Sequence, residues 1–339
     1  MMMETKEILK RICEAPYEHT FDSKTHKTIE EIISPFCEKI ETDALGNLIC
    51  HITEEGEKSI VLSAHMDKIG MVVTGIDKAT GMLKIDKAGG IDLRTLAAAR
   101  VKVIGSKVLF GCISSTPPHL TSGDRNKVSS IDSLFVDCGL SYDEIIKYVS
   151  LGDTVEYHSP ITELLGGRLT GAYMDNSAGC AAVIKAAQML KNAGTKNKVT
   201  AVFTTREEIG KQGATAVFTR LQPDLALITD VSFACAPGIP KESSSPLLSG
   251  AMICISPILQ KEVALKLIEE AEKNAVPYTV EVMGSRTATD SDVAVNAGTG
   301  IKTGLVSIPL LNMHTPVETL DIKDVDAVAQ LLFNASKGG

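Results

Sequence analysis

The sequence predicts an α/β protein, a mixed and mainly parallel sheet with helices on both faces, into which a small β-barrel or sandwich is inserted. Three observations predict it. Apolar strand-like runs alternate with helical patterns before residue 65 and again after residue 161. Between Lys68 and Ile161 that rhythm gives way to short strand-like pieces broken by glycine. Acids and histidines stand at or near the ends of several apolar runs, where sites in open α/β sheets form.

The elements follow in order. Residues 4–14 and 27–40 carry apolar side chains at helical spacing. Asp43-Ala44-Leu45-Gly46-Asn47 is a turn, followed by a short strand at 48–52. A buried strand at 59–64 delivers His65. Strand-like pieces at 71–74, 82–87, 101–104 and 107–113 are punctuated by glycines, and helical periodicity returns only at 142–149. That stretch holds roughly a hundred residues, one domain's worth. The expected division is therefore residues 1–67 with 162–339 as one domain and 68–161 as a β-rich insertion. Residues 177–192 form an apolar helix closed by Gly194. A strand at 199–204 leads to Arg206-Glu207-Glu208, a helix follows at 212–221, and a strand at 225–229 ends at Asp230. Strands at 252–256, 278–282 and 304–308, with a helix at 261–274, continue the alternation. Asp321 caps the last helix, 322–335.

Composition narrows the function classes. The chain has 339 residues, 44% of them hydrophobic, enough for a large core and for two domains. A net charge of -8 with no long basic run argues against nucleic acid and anionic membrane as partners. None of the eight cysteines forms a C-x-x-C pair, and several sit in apolar runs, so buried free thiols in a reducing cytoplasm are expected. No apolar stretch is long enough to span a bilayer, and the N-terminal residues lack the apolar core of a signal peptide. There is no G-x-S-x-G elbow, no P-loop and no G-x-G-x-x-G after a strand. The chain has no Trp and is 4% aromatic, which disfavours a cleft that stacks sugars.

The chemistry concentrates at His65, Asp67, Asp175, Glu207, Glu208, Asp230 and His314. Singly each has a plain structural reading. A histidine after a strand is often a satisfied polar residue, Asp175 and Asn176 precede a helix as capping residues do, and Asp230 sits where turn aspartates sit. The adjacent Glu207 and Glu208 are the sharpest feature, because a buried carboxylate pair is costly unless a cation or shared proton relieves it. Asp67 could accept the second ring N–H of His65 and fix its tautomer. Together the set is the inventory of a two-metal hydrolase: imidazole and carboxylate ligands, a bridging carboxylate and a spare carboxylate as base. His119 has no nameable partner in the insertion; His19, His26, His51 and His158 read as surface or structural.

Ordered motifs run through nearly the whole chain: Asp43-x-x-Gly46-Asn47, Ser63-Ala64-His65-Met66-Asp67-x-Ile69-Gly70, Pro117-Pro118-His119, Asp175-Asn176-x-x-Gly179, Glu207-Glu208-x-Gly210-x-x-Gly213-Ala214, Thr229-Asp230-Val231, Thr289-Asp290 and Met313-His314-Thr315-Pro316-Val317-Glu318. In these the chain resembles peptidase family M42, the metallo-aminopeptidases of the glutamyl and tetrahedral aminopeptidase group. The resemblance implies a zinc-peptidase α/β domain with a PDZ-like dimerisation domain inserted. It implies two divalent metal ions per subunit, zinc or cobalt, and peptide substrates whose N-terminal residues are removed by metal-activated water. Asp175 would bridge the ions, His65 and Asp230 would complete one site, Glu208 and His314 the other. Glu207 would be the general base, and Asp67 would orient His65. Family members assemble as dimers that build a hollow dodecamer, so His119 could act through a neighbouring subunit. Other readings of the same scaffold are a dipeptidase, a deacylase, a relative labelled endoglucanase, or a non-catalytic assembly protein. The chain departs from the usual family pattern at Ala15–Thr20, at Arg206 and at Ser285–Ala288. Arg206 and Arg286 are the basic groups that a preference for acidic N-terminal residues would call on.

Overall fold

A computed structural model describes residues 3–17, 23–115 and 128–338. Helix α1 (Thr5–Glu14) buries Ile8, Leu9, Ile12 and Cys13 along one stripe. Helix α2 (Lys24–Ile33) begins at Ser23, whose side chain accepts the His26 N–H. The helix expected at 27–40 thus stops early. Pro35 has no N–H to donate to the preceding turn, so the α-helical hydrogen bonding stops there. The chain instead makes one 3-10 turn, Ser34–Phe36, and becomes strand β1 (Lys39–Thr42), paired antiparallel with β2 (Leu48–His51). Strand β3 (Ser59–His65) is buried from Ile60 onward.

The glycine-punctuated stretch builds a closed barrel. Its strands are β4 (Gly70–Ile76), β5 (Leu83–Ala88), β6 (Arg100–Ile104), β7 (Val108–Ile113), β8 (Phe135–Asp137) and β9 (Thr154–Tyr157), in the order β4-β5-β8-β7-β6-β9. Met71, Val73, Leu83, Ile85, Val101, Val103 and Val155 fill its core, while Lys84 and Asp86, which alternate with Leu83 and Ile85, face outward. β8 and β9 were not anticipated; three and four residues are too few to show a period. The expected helix at 142–149 is regular only over α3 (Tyr142–Ile145), which a Ser141–Glu144 capping box starts.

Beyond the barrel, β10 (Thr162–Glu163) and β11 (Arg168–Gly171) form a hairpin. There follow α4 (Met174–Ala193), β12 (Lys198–Thr204), α5 (Gln212–Leu221), β13 (Leu225–Phe233), β14 (Ala251–Ile255), α6 (Lys261–Lys273), β15 (Tyr278–Val282), α7 (Ser291–Ala294), β16 (Thr303–Leu310), β17 (Glu318–Asp321) and α8 (Ile322–Lys337). β17 joins β11 in a three-stranded sheet that the sequence did not suggest. The main sheet has eight strands in the order β1-β2-β12-β3-β13-β16-β14-β15. β12, β3, β13 and β16 run parallel, and antiparallel pairings flank them, so the sheet is mixed. Helices α1, α4, α6 and α8 bury one face and α5 and α7 the other. Among the described residues no helix is long and apolar enough to cross a membrane.

Register sets the site. Thr204 of β12 pairs with His65 of β3, so both strands end level. β13 pairs with β3 as far as Ile228 and Ser63, which leaves Asp230 two residues farther on, level with His65. Asp230 therefore lies inside a strand, where the sequence had placed it just past the end.

Candidate metal centre

Two imidazoles face a common set of carboxylates. His65 Nε2 lies 3.2 Å from Asp175 Oδ1 and 3.6 Å from Asp230 Oδ1. His314 Nε2 lies 3.3 Å from Asp175 Oδ2 and 3.5 Å from Glu208 Oε1. These are two three-residue groups with ligand atoms within 4.8 Å of one another, and Asp175 gives one oxygen to each. The far side of each ring faces a backbone carbonyl: His65 Nδ1 is 3.2 Å from Asp67 O, and His314 Nδ1 is 3.0 Å from Gly90 O. A carbonyl only accepts, so each Nδ1 carries the proton and donates it. In the neutral ring Nε2 is then a bare lone pair aimed at carboxylate oxygens. Asp175 Oδ1 is buried with no hydrogen bond among the described residues, although His65 Nε2 is near. Lone pairs converging on one point without protons to share are what a cation relieves, and imidazole with carboxylate is a donor set for zinc and its first-row neighbours.

Without a cation the same crowding shifts protons. Burial opposes charge on His314, but Asp175 and Glu208 outweigh it and push the ring up to about 11. Burial likewise opposes charge on His65, and Asp175 and Asp230 raise it well above the ordinary imidazole range. Burial, with the charges of Asp230 and Asp290, pushes Glu207 up to about 8 against the pull of His65 and Lys211.

Glu207 and Glu208 ride on a turn between β12 and α5 that is held at several points. Asp67 Oδ1 accepts the Glu207 N–H at 3.0 Å and Oδ2 the Glu208 N–H at 3.1 Å. Asp67 thus faces His65 chiefly through its backbone carbonyl, with its carboxylate on the glutamates. Asn47 grips both ends of the turn: Oδ1 accepts the Thr205 N–H at 2.9 Å, and Nδ2 donates to Gly213 O at 3.0 Å. Asp43 accepts the Leu45 and Asn47 N–H groups and so shapes the loop that carries Asn47. Lys211 Nζ sits 2.8 Å from Glu207 Oε1.

The other ligands hang from a second buried acid. Glu318 Oε2 accepts the N–H groups of Met174 at 2.6 Å and Asp175 at 3.2 Å, and Oε1 accepts that of His314 at 2.9 Å. Asn176 Oδ1 takes the Gly179 N–H, so Asn176 caps the helix and leaves Asp175 for the site. Gly90, from the barrel, lets His314 close on its carbonyl. A Cβ there would stand 2.6 Å from His314 Nδ1.

The structure brings His65, Asp67, Asp175, Glu207, Glu208, Asp230 and His314 together. Six of them line a cleft of about 350 Å³ with Lys211, Ser232, Phe233, Met283, Thr287, Thr289 and Met313, and Asp67 lies beneath. Arg206 and Arg286 are not among the residues lining that cleft. His26 and His51 are buried and hydrogen-bonded in the structure, and His158 packs edge-on against Phe110. Pro117-Pro118-His119 and His19 lie outside the described residues. Sequence reasoning missed Gly90, Lys211 and the anchoring role of Glu318. Glu318 stood inside a quoted motif, an acid between Val317 and the short strand-like run 319–320, and that was the available signal.

A mixed α/β sheet whose strand ends present two imidazole–carboxylate groups, joined by one carboxylate and flanked by a spare one, is a hydrolase scaffold. Residues 46–331 match the M42 glutamyl aminopeptidase family. The lysyl aminopeptidase of Pyrococcus furiosus is 30% identical, over 96% of this chain and 94% of its own length. A TET aminopeptidase from a marine sediment archaeon of the Thaumarchaeota has a solved structure that superposes with a TM-score of 0.92, at 25% identity over 98% of this chain and 96% of that one. The Pyrococcus horikoshii TET1 peptidase, described as able to assemble into a tetrahedron or a large octahedral shell, superposes with a TM-score of 0.87, at 30% identity over 98% and 99%. The chain belongs to the M42 family and is an aminopeptidase, a peptidase hydrolase.

Proposed function

We propose that this aminopeptidase is metal-dependent and works with two divalent cations, zinc or cobalt, per subunit. His65, Asp175 and Asp230 would hold one ion, and Asp175, Glu208 and His314 the other. The observation that carries this reading is Asp175, whose two oxygens face the two imidazoles separately. Such ions supply a polarised scissile carbonyl and an acidified water. Glu207 does the proton work: its carboxylate takes a proton from the attacking water and returns it to the leaving amine nitrogen. Its carboxylate lines the cleft beside the residues of both groups, where that exchange would take place. Asp67 and Glu318 hold the loops so that base and ligands do not have to reorganise.

The barrel between residues 68 and 161 reads as the dimerisation domain, and its exposed Phe110 and Leu151 support that. Dimers would build a larger shell of the kind the Pyrococcus horikoshii relative forms. The eight free cysteines, four of them buried, support a reducing, cytoplasmic setting.

The test is hydrolysis of aminoacyl-p-nitroanilides by chelator-stripped protein, with and without zinc or cobalt. Metal-restored cleavage is expected. Full cleavage by metal-free protein, or silence with two ions bound, contradicts the reading.

A further inference from the structure

We propose that the cleft receives a basic N-terminal side chain, lysine or arginine, with Glu281 as its counter-charge. This rests on the aminopeptidase reading above and names the residue class that it leaves open.

Glu281 sits on β15 and is 6% exposed. Its Oε1 takes the Ser232 hydroxyl, and its Oε2 is buried with no hydrogen bond among the described residues. Ser232 follows Asp230 by two residues on the same face of β13, one step outward from the metal ligands. Ser232 lines the cleft, and so does Met283, two residues after Glu281. Glu281 is not itself among the lining residues; its link to the cleft is the bond from Ser232. A buried carboxylate oxygen without a partner is costly, and a cationic group brought to it would remove that cost.

The wall beside it selects the visitor. Phe233, Met283 and Met313 offer apolar and polarisable surface to an aliphatic stem. Lysine and arginine bury such stems while their charged tips seek a partner, and the Glu281 carboxylate is that partner. An aliphatic residue would leave Oε2 buried and unpaired, and an acidic residue would set two carboxylates together. Among the described residues Lys211 is the one lysine or arginine that lines the cleft, and Glu207 holds it at 2.8 Å.

The experiment compares lysyl-, arginyl-, leucyl- and glutamyl-p-nitroanilide on metal-loaded wild type and Glu281→Gln. The amide keeps the shape and a bond to Ser232 while removing the charge. Wild type is expected to show its highest kcat/KM with lysine and arginine. In the variant those two fall about ten- to a hundredfold, and leucine changes by less than about threefold. A wild-type preference for leucine or glutamate overturns the proposal, and so does an unchanged lysine-to-leucine ratio in the variant. Calorimetric binding of lysine and leucine hydroxamates separates this failure from that of the peptidase reading. If no anilide is cleaved, tighter lysine hydroxamate binding that the variant loses sustains the pocket and refutes the peptidase. Equal binding of the two hydroxamates refutes the pocket.

Discussion

Asp67 Oδ1 accepts the backbone N–H of Glu207 at 3.0 Å, so the residue two places after one metal-facing imidazole holds the loop that carries the base. Oδ2 does the same for Glu208 at 3.1 Å. Both oxygens are used as acceptors, and neither position tolerates a donor. Asp67→Asn turns an NH2 toward one of the two amides and loosens the glutamates together. The expected loss is about 10–100-fold in kcat or metal affinity. Steady-state kinetics beside a chelator-competition titration measures both. Wild-type values for each would show that Asn47 alone suffices to hold the turn.

Glu318 is the matching clamp on the other side, with three backbone N–H groups from two loops on one carboxylate. Glu318→Gln leaves one oxygen for loops that need two. The group of Asp175, Glu208 and His314 should weaken first, because two of its three members lose their anchor. Metal affinity at that group is expected to drop by about 10–100-fold, with the first ion still bound. Metal mass spectrometry at rising chelator concentration resolves the two ions. Simultaneous loss of both, or of neither, contradicts this division.

Metal affinity should climb with pH well past neutrality. In the metal-free chain Asp175 and Glu208 overcome burial to push His314 up to about 11, and His65 is raised in the same sense by Asp175 and Asp230. The His314 ring is then protonated at neutral pH and must release a proton when an ion binds, and His65 is shifted in the same direction. Affinity therefore rises about tenfold per pH unit for each proton displaced, from pH 7 upward. Ordinary imidazoles, titrating near ~6.5, would give a dependence that flattens above about pH 7.5. Chelator competition at several pH values between those limits, with calorimetry in two buffers to count protons, distinguishes the two.

Glu207→Gln removes the proton carrier and leaves both three-residue groups intact. Its kcat should fall about 10²–10⁴-fold with metal content unchanged. A variant that loses metal in proportion to rate would make Glu207 a ligand and not the base.

Much of this site was legible in the sequence because its ligands follow strands. The runs at 59–64, 199–204 and 225–229 alternate with helical patterns, which predicts parallel strands, and parallel strands bring His65, Glu207, Glu208 and Asp230 toward one edge of the sheet. The order itself was not legible, because pairing β3 between β12 and β13 depends on long-range contacts that leave no local period. Local conflicts misled as well. The apolar spacing of 27–40 looks helical, yet Pro35 ends the helix and the tail pairs as β1. The clamps were hidden for a different reason. Asp67 and Glu318 act on backbone N–H groups, which every residue has, so no side-chain type marks their partners. Gly90 matters for the His314 ring it admits, a contact made across 224 positions of chain.

The most direct measurement is the number of zinc ions bound per chain by wild type and by Asp175→Asn, after stripping, reloading and dialysis. The account predicts two ions for wild type and loss of ordered binding at both groups in the variant, because one carboxylate serves both. Two ions retained by Asp175→Asn, or none held by wild type, would contradict it.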